Sequence, residues 1–257
     1  MIDEEFQAEV SSVKFRGTFL DGHFDRTPGF YVEDVQGILG GGSVSYESAA
    51  LADGDGEFDL PNRRDEPRII AFSGFAYADS MWALGRMIRQ LDGLLAARDA
   101  TGELVWTEFG EWFSTTVRRG RGCSVTRRGA TGFADFTMRF RAPSQRIYGE
   151  SNPFGPGTSL ALSHRGTYPS PPVFTVPGPH SGFTLTGPGG RRFVVSQPAG
   201  AGHKHTVNMR DGRVALDGAR QYGVSPRADV WMVPPGAGGV ATSCTVPFLA
   251  DVPDAFI

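Results

Sequence analysis

Only one stretch of this 257-residue sequence repeats apolar residues at helical spacing, and it limits the fold more than any other feature. Residues three and four positions apart lie on one face of a helix. The repeat consists of Met81, Leu84, Ile88, Leu91 and Leu95. Asp79 or Ser80 can cap its start, and Gly102 closes the segment. We therefore predict one helix over about 80–97, with its apolar stripe packed on a sheet.

The remaining sequence has the pattern of strands and turns. Its 35 glycines and 18 prolines follow no fixed period, so they favour tight turns between short strands. The segment 133–141 is the clearest strand, because Phe136, Met138 and Phe140 alternate with polar residues. Further strands are predicted at 68–78, 103–109 and 111–119. We expect a mainly β fold, all-β with one helix, whose N-terminal part is a sheet or barrel carrying that helix.

A turn-rich segment, SNPFGPG at 151–157, is the best candidate for a domain boundary. No helical repeat follows it, and Asp211-Gly212 is a strong signal for a two-residue hairpin. Short strands are predicted at 173–176, 182–186, 191–196, 204–209, 213–217, 229–233 and 240–248. We therefore predict two domains, 1–150 and 151–257, the second a β-sandwich or jelly roll.

Charge and hydropathy exclude several classes of protein. The formal net charge of −3 gives no general attraction to nucleic acid or to anionic membranes. No stretch approaches the roughly 18 consecutive apolar residues of a membrane span, and the acidic start MIDEEFQAEV lacks the pattern of a secretory signal. We expect a protein that stays in the cytoplasm where it is made, with Cys123 and Cys244 as reduced thiols.

Two patterns in the sequence resemble metal-binding motifs, but each lacks ligands that a metal site needs. The run Asp53–Asp59 resembles the start of a calcium loop, but Phe58 stands at the glycine position and Arg64 at the position of the bidentate glutamate. His203 and His205 alternate, so on a strand they would share a face, yet no third ligand follows at a recognisable spacing. A solvated turn and surface histidines are the favoured interpretations.

Five arginines lie close together and predict a basic hairpin: Arg118, Arg119, Arg121, Arg127 and Arg128. Such a hairpin could meet phosphates or an acidic partner subunit, but no aromatic residues interleave with it as single-strand stacking requires. A solvated tip or a protein contact is favoured. Gly37–Gly42 lacks the lysine and Ser/Thr of a phosphate-binding loop, and no catalytic motif occurs. We predict no catalytic, cofactor-binding or metal-binding residues.

The order of segments in the first half matches a known pattern. An Asp-Gly-rich stretch runs into an Arg-Ile-rich strand over 53–78, followed by the predicted helix and then GELVW at 102–106. The segment FTMRFRAPSQRIYGE at 136–150 follows, with Ala142-Pro143 where Asp-Pro is more familiar. This order resembles the N-terminal domain of the siphophage distal tail protein (Dit) family, especially minor tail proteins of actinobacterial phages.

The second half continues the resemblance. RGTY at 165–168 and PPVFTV at 171–176 resemble the opening of the family's galectin-like domain. The Asp211-Gly212 hairpin, VWMVPPGAGGVA at 230–241 and DVPDAFI at 251–257 resemble its closing strands. In addition, 23 of the 25 basic residues are arginine, which is typical of GC-rich coding sequences such as those of actinobacterial phages.

The resemblance implies a scaffold in the virion tail, assembled in the bacterial cytoplasm. Such proteins form a ring, usually a hexamer, through their N-terminal domains where the tail tube meets the tail tip or baseplate. The ring leaves a channel through which DNA passes without specific binding. The implied partners are the tail tube protein, tape-measure-associated tip proteins and receptor-binding proteins, and host glycans are a further partner implied for the galectin-like domain. The family offers no catalytic or cofactor residues to transfer.

Two further hypotheses concern how the chain meets its partners. The polar segment 40–66 is long for an idle loop, so we expect it to reach across to the adjacent subunit. The main alternative to a scaffold is a lectin-like carbohydrate-binding module, in which Tyr168, Tyr222 or Trp231 stacks on a sugar, although Trp231 is better explained as core. A tail-associated glycosidase or peptidase is the third alternative.

Overall fold

The computed structural model describes residues 12–15, 18–21, 24–38, 40, 44–45, 48–50, 57–59, 64–108 and 110–257. The chain divides into two compact units, Met1–Ile147 with Ile257, and Tyr148–Phe256. The fold is mainly β, and the described residues contain one α-helix, as the sequence predicts.

The elements of the two units follow in chain order. The first unit contains β1 (Ser12–Phe15), β2 (Thr18–Asp21), β3 (Gly29–Gln36), β4 (Val44–Ser45), β5 (Ser48–Ala50), β6 (Glu57–Asp59), β7 (Arg64–Asp65), β8 (Arg68–Tyr77), α1 (Met81–Gly93), β9 (Gly102–Glu108), β10 (Glu111–Arg119), β11 (Ser124–Arg127) and β12 (Phe133–Ala142). The second contains β13 (Ile147–His164), β14 (Val173–Pro177), β15 (Phe183–Thr186), β16 (Arg192–Val195), β17 (Lys204–Asn208), β18 (Arg213–Leu216), β19 (Ala219–Gln221), β20 (Arg227–Ala228) and β21 (Gly236–Phe256).

The main sheet of the first unit closes on itself. Strand pairing runs from β12 through β8, β3, β2, β1, β9 and β10 and then returns to β12. These pairings are antiparallel except that of β2 with β3. The strands therefore form a barrel in which successive side chains alternate between the inside and the outside.

Burial along β12 confirms the alternation predicted for 133–141. The buried side chains are Ala134, Phe136, Met138, Phe140 and Ala142, and they form part of the barrel core. On the paired strand β8, Gly74 faces Val32 at a bulge in β3. A side chain there would place its Cβ 1.9 Å from the carbonyl oxygen of Tyr31, so only glycine lets the two strands approach.

Helix α1 begins at Met81 and ends at Gly93, four residues earlier than predicted. Ser80 caps the start, because its Oγ accepts the backbone N–H of Ala83 at 3.2 Å. Leu84 and Leu91 are buried as predicted, whereas Met81 is exposed. The early end has a tertiary cause: the backbone turns extended at Leu94, and the guanidinium of Arg119 donates to the carbonyls of Leu91, Asp92 and Leu94.

The second unit is built from two sets of strands that share one core. Strand β21 pairs with β14 through residues 249–251, and β14 continues through β17 and β18 to β19. The same strand pairs with β15 through residues 243–244, and β15 continues through β16 to β20. Apolar residues from both sets, among them Phe174, Phe193 and Phe248, pack together with Trp231, which lies between strands β20 and β21. This is a β-sandwich.

Two local predictions for this half were wrong. The SNPFGPG segment at 151–157 is not a turn but part of the 18-residue strand β13, which pairs with β21. Residues 229–233 form no strand, and only Val233 makes an isolated bridge, to Ser170. At 151–157, long-range pairing with β21 outweighs the local glycine and proline signals. Cys123 and Cys244 are free thiols, and none of the helical segments among the described residues is long and apolar enough to cross a membrane.

Candidate interface surfaces

A row of exposed arginines lies on the outside of the barrel. In register across three neighbouring strands stand Arg118 on β10, Arg141 on β12 and Ile69 on β8. Arg139, two residues earlier on β12, is exposed on the same side because side chains alternate along a strand. We call Arg118, Arg139, Arg141 and Ile69 the arginine face. Within the described residues, none of its three guanidinium groups has an ion-pair or hydrogen-bond partner.

The five arginines predicted to form one basic hairpin are distributed among different surroundings. Strand β10 pairs with residues 140–141 of β12, and β11 pairs with residues 134–137 of the same strand. The arginines on β10 and β11 are therefore separated. Arg119 binds the end of helix α1, and Arg127 Nε donates to Gly129 O at 2.7 Å. Arg128 forms an ion pair with Asp135 at 2.6 Å, which raises the pKa of this arginine. The single-hairpin prediction is therefore wrong, while Arg118 and Arg121 are exposed as expected.

Aromatic rings cover the outer surface of β3, β8 and β12. They are Phe24, Tyr31, Phe75, Tyr77 and Phe133, with ring centroids 4.8–6.2 Å apart. In the turn before β3, hydrogen bonds from the side chain and backbone of Thr27, and then from the Tyr31 hydroxyl, lower the pKa of Asp25 to about 2. The turn before β3 is therefore fixed by local contacts, and this aromatic surface is largely filled by its own side chains.

Two apolar side chains at the start of helix α1 are exposed, which the sequence pattern did not predict. Trp82 is 69% exposed and Met81 is also exposed. The guanidinium carbon of Arg86 lies 4.9 Å from the centre of the Trp82 ring. An exposed tryptophan held by a cation–π contact is typical of protein interfaces.

Residues 40–66 are partly described and contain two short strand pairs. Strand β4 pairs with β7, and β5 pairs with β6 between them, which is the arrangement of a hairpin. The sequence of this segment carries seven carboxylates, Glu47, Asp53, Asp55, Glu57, Asp59, Asp65 and Glu66, against two arginines, Arg63 and Arg64. We call residues 40–66 the acidic hairpin. Residues 53–56 of the calcium-loop pattern and residues 39 and 41–42 of the Gly37–Gly42 run lie outside the described residues.

The two histidines expected to share a surface are separated. His203 precedes β17, is exposed, and contacts Asp217 with its Nδ1 2.6 Å from Oδ2. His205 is fully buried, with its Nε2 3.2 Å from Gln197 Oε1 and its Nδ1 3.3 Å from His180 Nε2. The amide oxygen of Gln197 only accepts, so His205 Nε2 carries a proton and its Nδ1 accepts from His180.

Burial disfavours the charged form of both ring systems in this pair. It lowers the pKa of His180, and it lowers the pKa of His205 together with the nearby His180, against an opposing effect of Asp217. In the described part of the chain, no three or more histidine, cysteine or acidic side chains group as a metal site requires. His205 thus belongs to the sandwich interior, which the surface interpretation missed because strand position alone does not give depth.

The three aromatic residues considered for sugar stacking have different environments. Trp231 is 1% exposed, and its ring centre lies 5.6 Å from that of Phe174, so the core interpretation is confirmed. Tyr168 is half-buried, and its backbone N–H donates to Ala255 O at 2.9 Å. Tyr222 is 75% exposed, with the guanidinium carbon of Arg220 4.7 Å from its ring centre. Of these three, Tyr222 alone offers an open ring.

Comparison with known proteins gives a structural match without a sequence match. No family model matches the sequence, and a search of curated proteins finds no match. The Dit protein of phage SPP1, described as a paradigm of the hub adsorption apparatus in phages that infect Gram-positive bacteria, has a TM-score of 0.72 at 17% identity. The match covers 96% of this chain and 99% of that one.

Chains of a second phage match less closely. They come from the phage P2 baseplate in its activated conformation, with Ca in one structure and Sr in the other. Their TM-scores are 0.62 and 0.61 at 7% and 8% identity, and they cover 95% and 94% of this chain and 97% of their own. At these identities the likeness establishes the fold, which is the all-β fold of Dit-like proteins.

Proposed function

We propose that this chain is a distal tail protein of a long-tailed phage, a structural hub that joins the tail tube to the tail tip or baseplate. The observation that carries this is the SPP1 Dit likeness, which extends over 96% of this chain and 99% of the other. A match over nearly the whole of both chains includes both units and their order. A shared single domain would be weaker support, because common folds serve many functions.

In this proposal residues 1–150 form the ring, with six copies, and residues 151–257 are a galectin-like domain that holds receptor-binding or tip proteins. A closed ring needs two different, complementary surfaces on each subunit. The first unit offers candidates for both, in the arginine face, the exposed start of helix α1 and the acidic hairpin. The proposal includes a non-enzymatic role, passage of DNA without specific binding, and a phage of an actinobacterial host.

Electron microscopy and native mass spectrometry of the full-length protein test the ring. We expect rings with a central hole, formed alone or on addition of the tail tube protein. A chain that stays a single subunit at every concentration, with and without tail partners, would refute the hub.

Removal of the acidic hairpin tests the expectation that this segment reaches the adjacent subunit. Replacing residues 44–65 by a short Gly-Ser linker should leave folded monomers, because the contact between neighbours is lost. Intact rings after the replacement would show that the segment is dispensable for assembly. Circular dichroism provides the control that the barrel still folds.

A carbohydrate-binding role is the second candidate, and the exposed Tyr222 ring favours it. Sugars stack on open aromatic faces, and the nearby Arg220 supplies hydrogen-bond donors. Binding of the full chain to a glycan array, abolished in Tyr222→Ala and retained in Tyr168→Ala, is the expected result for this role. Absence of any glycan signal would remove it and leave the hub untouched.

A further inference from the structure

The arginine face is an unfavourable arrangement in an isolated subunit. Arg118 and Arg141 stand directly opposite each other on paired antiparallel strands. Side chains in such positions have Cβ atoms about 4.5–5.5 Å apart, and like charges there destabilise the sheet. Arg139 adds a third positive charge on the same side of β12 as Arg141. An anionic partner would turn this repulsion into attraction.

Other exposed arginines of the chain have carboxylate partners, and the arginine face has none. Arg128, Arg213 and Arg227 each form an ion pair with an aspartate at 2.6–2.8 Å. Among the described residues, no carboxylate pairs with the arginine face. Its fourth member, Ile69, is 50% exposed and stands in register with Arg141. An apolar side chain bordered by charged groups is typical of a protein contact.

A bulge in strand β3 exposes two consecutive carboxylates, Glu33 and Asp34. Both residues are exposed, whereas the two residues before them are buried. Neighbours on a regular strand point to opposite sides, so only one of the two would then face solvent. The register of β3 with β8 skips Glu33, and this extra residue redirects the side chains at the bulge. We call Glu33 and Asp34 the acidic bulge.

Neither carboxylate of the acidic bulge forms an ion pair within the part of the chain that the structure describes. Asp34 Oδ2 accepts a hydrogen bond from the neutral amide Nε2 of Gln36 at 2.9 Å. The charge of Glu33 acts on Arg128, but this arginine is already paired with Asp135 at 2.6 Å. The acidic bulge is therefore open to positive groups outside the subunit.

The acidic bulge and the arginine face lie on different sides of the barrel wall. Strand β8 separates β3 from β12, which places these two strands about 10 Å apart. The closed circuit of described pairings has seven strands, in which β3 is two steps from β12 and three from β10. In a round barrel, these steps turn the outward direction by about 100–150°. The two contacts of a subunit in a ring of six differ in direction by about 120°.

We propose that the acidic bulge of one copy binds the arginine face of the next copy in the ring. The inference rests on the proposed ring and identifies two surfaces that meet in it. Glu33 and Asp34 neutralise the arginines of the neighbouring copy, and Ile69 is covered by the contact. Because the two surfaces have opposite charge and different positions on the barrel, the contact runs head to tail, as ring closure requires.

Charge reversal on the arginine face is the first test. In Arg118→Glu/Arg141→Glu, the dissociation constant of the oligomer, measured by analytical ultracentrifugation, should rise at least about tenfold because like charges then meet. Arg98→Glu, an exposed arginine after helix α1, is the matched control and should leave the constant unchanged. Unchanged melting temperatures establish that both variants fold. Oligomers as stable as wild type in the double variant would overturn the proposal.

Reversal of the acidic bulge should have the same effect. In Glu33→Lys/Asp34→Lys the dissociation constant should also rise at least about tenfold, and Asp99→Lys, at another exposed aspartate, should leave it unchanged. Glu33→Gln/Asp34→Asn keeps the shape of both side chains and should weaken the oligomer at least about threefold. Wild-type association in this neutral variant would contradict the proposal even where the lysine variant folds poorly.

Mixing the two reversed proteins tests whether the contact joins different copies. Each protein repels its own kind, because its bulge and its face carry the same sign. In an equimolar mixture, every bulge finds a face of opposite sign, so alternating oligomers should form again. A single chain that carries both reversals should recover in the same way. A mixture that stays monomeric would overturn the proposal.

A pairwise binding assay separates this inference from the proposed hub. Fluorescently labelled Arg118→Glu/Arg141→Glu protein should bind Glu33→Lys/Asp34→Lys protein in fluorescence anisotropy, and the binding should weaken with added salt. This holds even if the wild-type chain closes no ring, which would count against the hub only. Rings of wild-type protein without pairwise binding would overturn the inference only. Binding of a DNA duplex that the arginine variant loses, without pairwise binding, would assign the face to nucleic acid instead.

Discussion

The two units of this chain differ in net charge and in how their charged side chains are paired. Residues 148–257 carry 8 of the 25 basic and 6 of the 28 acidic side chains, a formal charge of +2, which leaves 17 and 22 in residues 1–147, a charge of −5. The second unit encloses its largest aromatic residue, and three of its seven arginines, Arg165, Arg213 and Arg227, form ion pairs with carboxylates of the same unit. The first unit exposes Trp82 and leaves the arginine face without partners among the described residues. The two units therefore differ in how their arginines are paired, whereas each exposes a large aromatic ring, Trp82 in the first and Tyr222 in the second.

The largest expected effect concerns the core of the second unit. Trp231→Ala removes a ring that is 1% exposed and packs on Phe174, so it should lower the free energy of unfolding by about 3–5 kcal/mol. Urea denaturation followed by circular dichroism measures the change. A loss below about 1 kcal/mol would mean that the sandwich does not depend on a closed core.

A smaller loss is expected at Arg119, whose side chain joins barrel strand β10 to the end of helix α1. Arg119→Ala removes the donor to three carbonyls at the end of helix α1 and should cost about 1–3 kcal/mol. Arg118→Ala is the matched control, since its side chain is exposed and faces Arg141, and it should change stability by less than about 0.5 kcal/mol. Equal losses in the two variants would contradict the helix-anchoring role.

Acid should weaken the second unit through its buried histidine pair. Both His180 and His205 have a pKa lowered by burial, so the unfolded chain takes up protons first, near the ordinary value of 6.5. The stabilisation is therefore complete above about pH 6.5 and is lost as pH falls below it. Urea midpoints measured between pH 7.5 and 5 should decline less in His205→Gln than in wild type or in the exposed His203→Gln. Parallel declines in all three would exclude the pair as the cause.

The smallest effect on stability is expected for a change at Trp82, the exposed counterpart of the buried Trp231. Trp82→Ala should change the free energy of unfolding by less than about 0.5 kcal/mol, because 69% of the residue is already in water. Its effect should be on assembly, measured as a weaker oligomer in sedimentation. A variant that assembles like wild type would show that the exposed helix start is not an interface.

Several structural features could be predicted because the signal is local and repeated. The steps of four and three residues from Leu84 through Ile88 to Leu91 identify helix α1 and its buried side. The alternation around Met138 identifies β12, and it already places Arg139 and Arg141 on the outer side. The exposure of Arg139 and Arg141 could therefore be predicted from the sequence. Their position beside Arg118 and Ile69 could not, because it depends on how β12 is aligned with β10 and β8.

Other features depend on partners far away in the chain. The SNPFGPG segment has the composition of a turn, yet it forms part of the long strand β13, which pairs with β21. His205 and His203 have equivalent positions in the sequence pattern, but only His205 packs against the rings of His180 and Phe183. The predicted basic hairpin does not form, because β10 and β11 each pair with a different part of β12.

By itself, the sequence determined that the chain is mainly β with one helix, since periodicity and turn residues act over a few neighbouring positions. Only the tertiary structure decided which strands pair, that the barrel closes, and which charged side chains meet a carboxylate. Those outcomes depend on contacts between residues far apart in the chain, such as Asn152 and Asp254, which are 102 positions apart. Such contacts form when the chain is packed, so the pattern of neighbouring residues does not encode them.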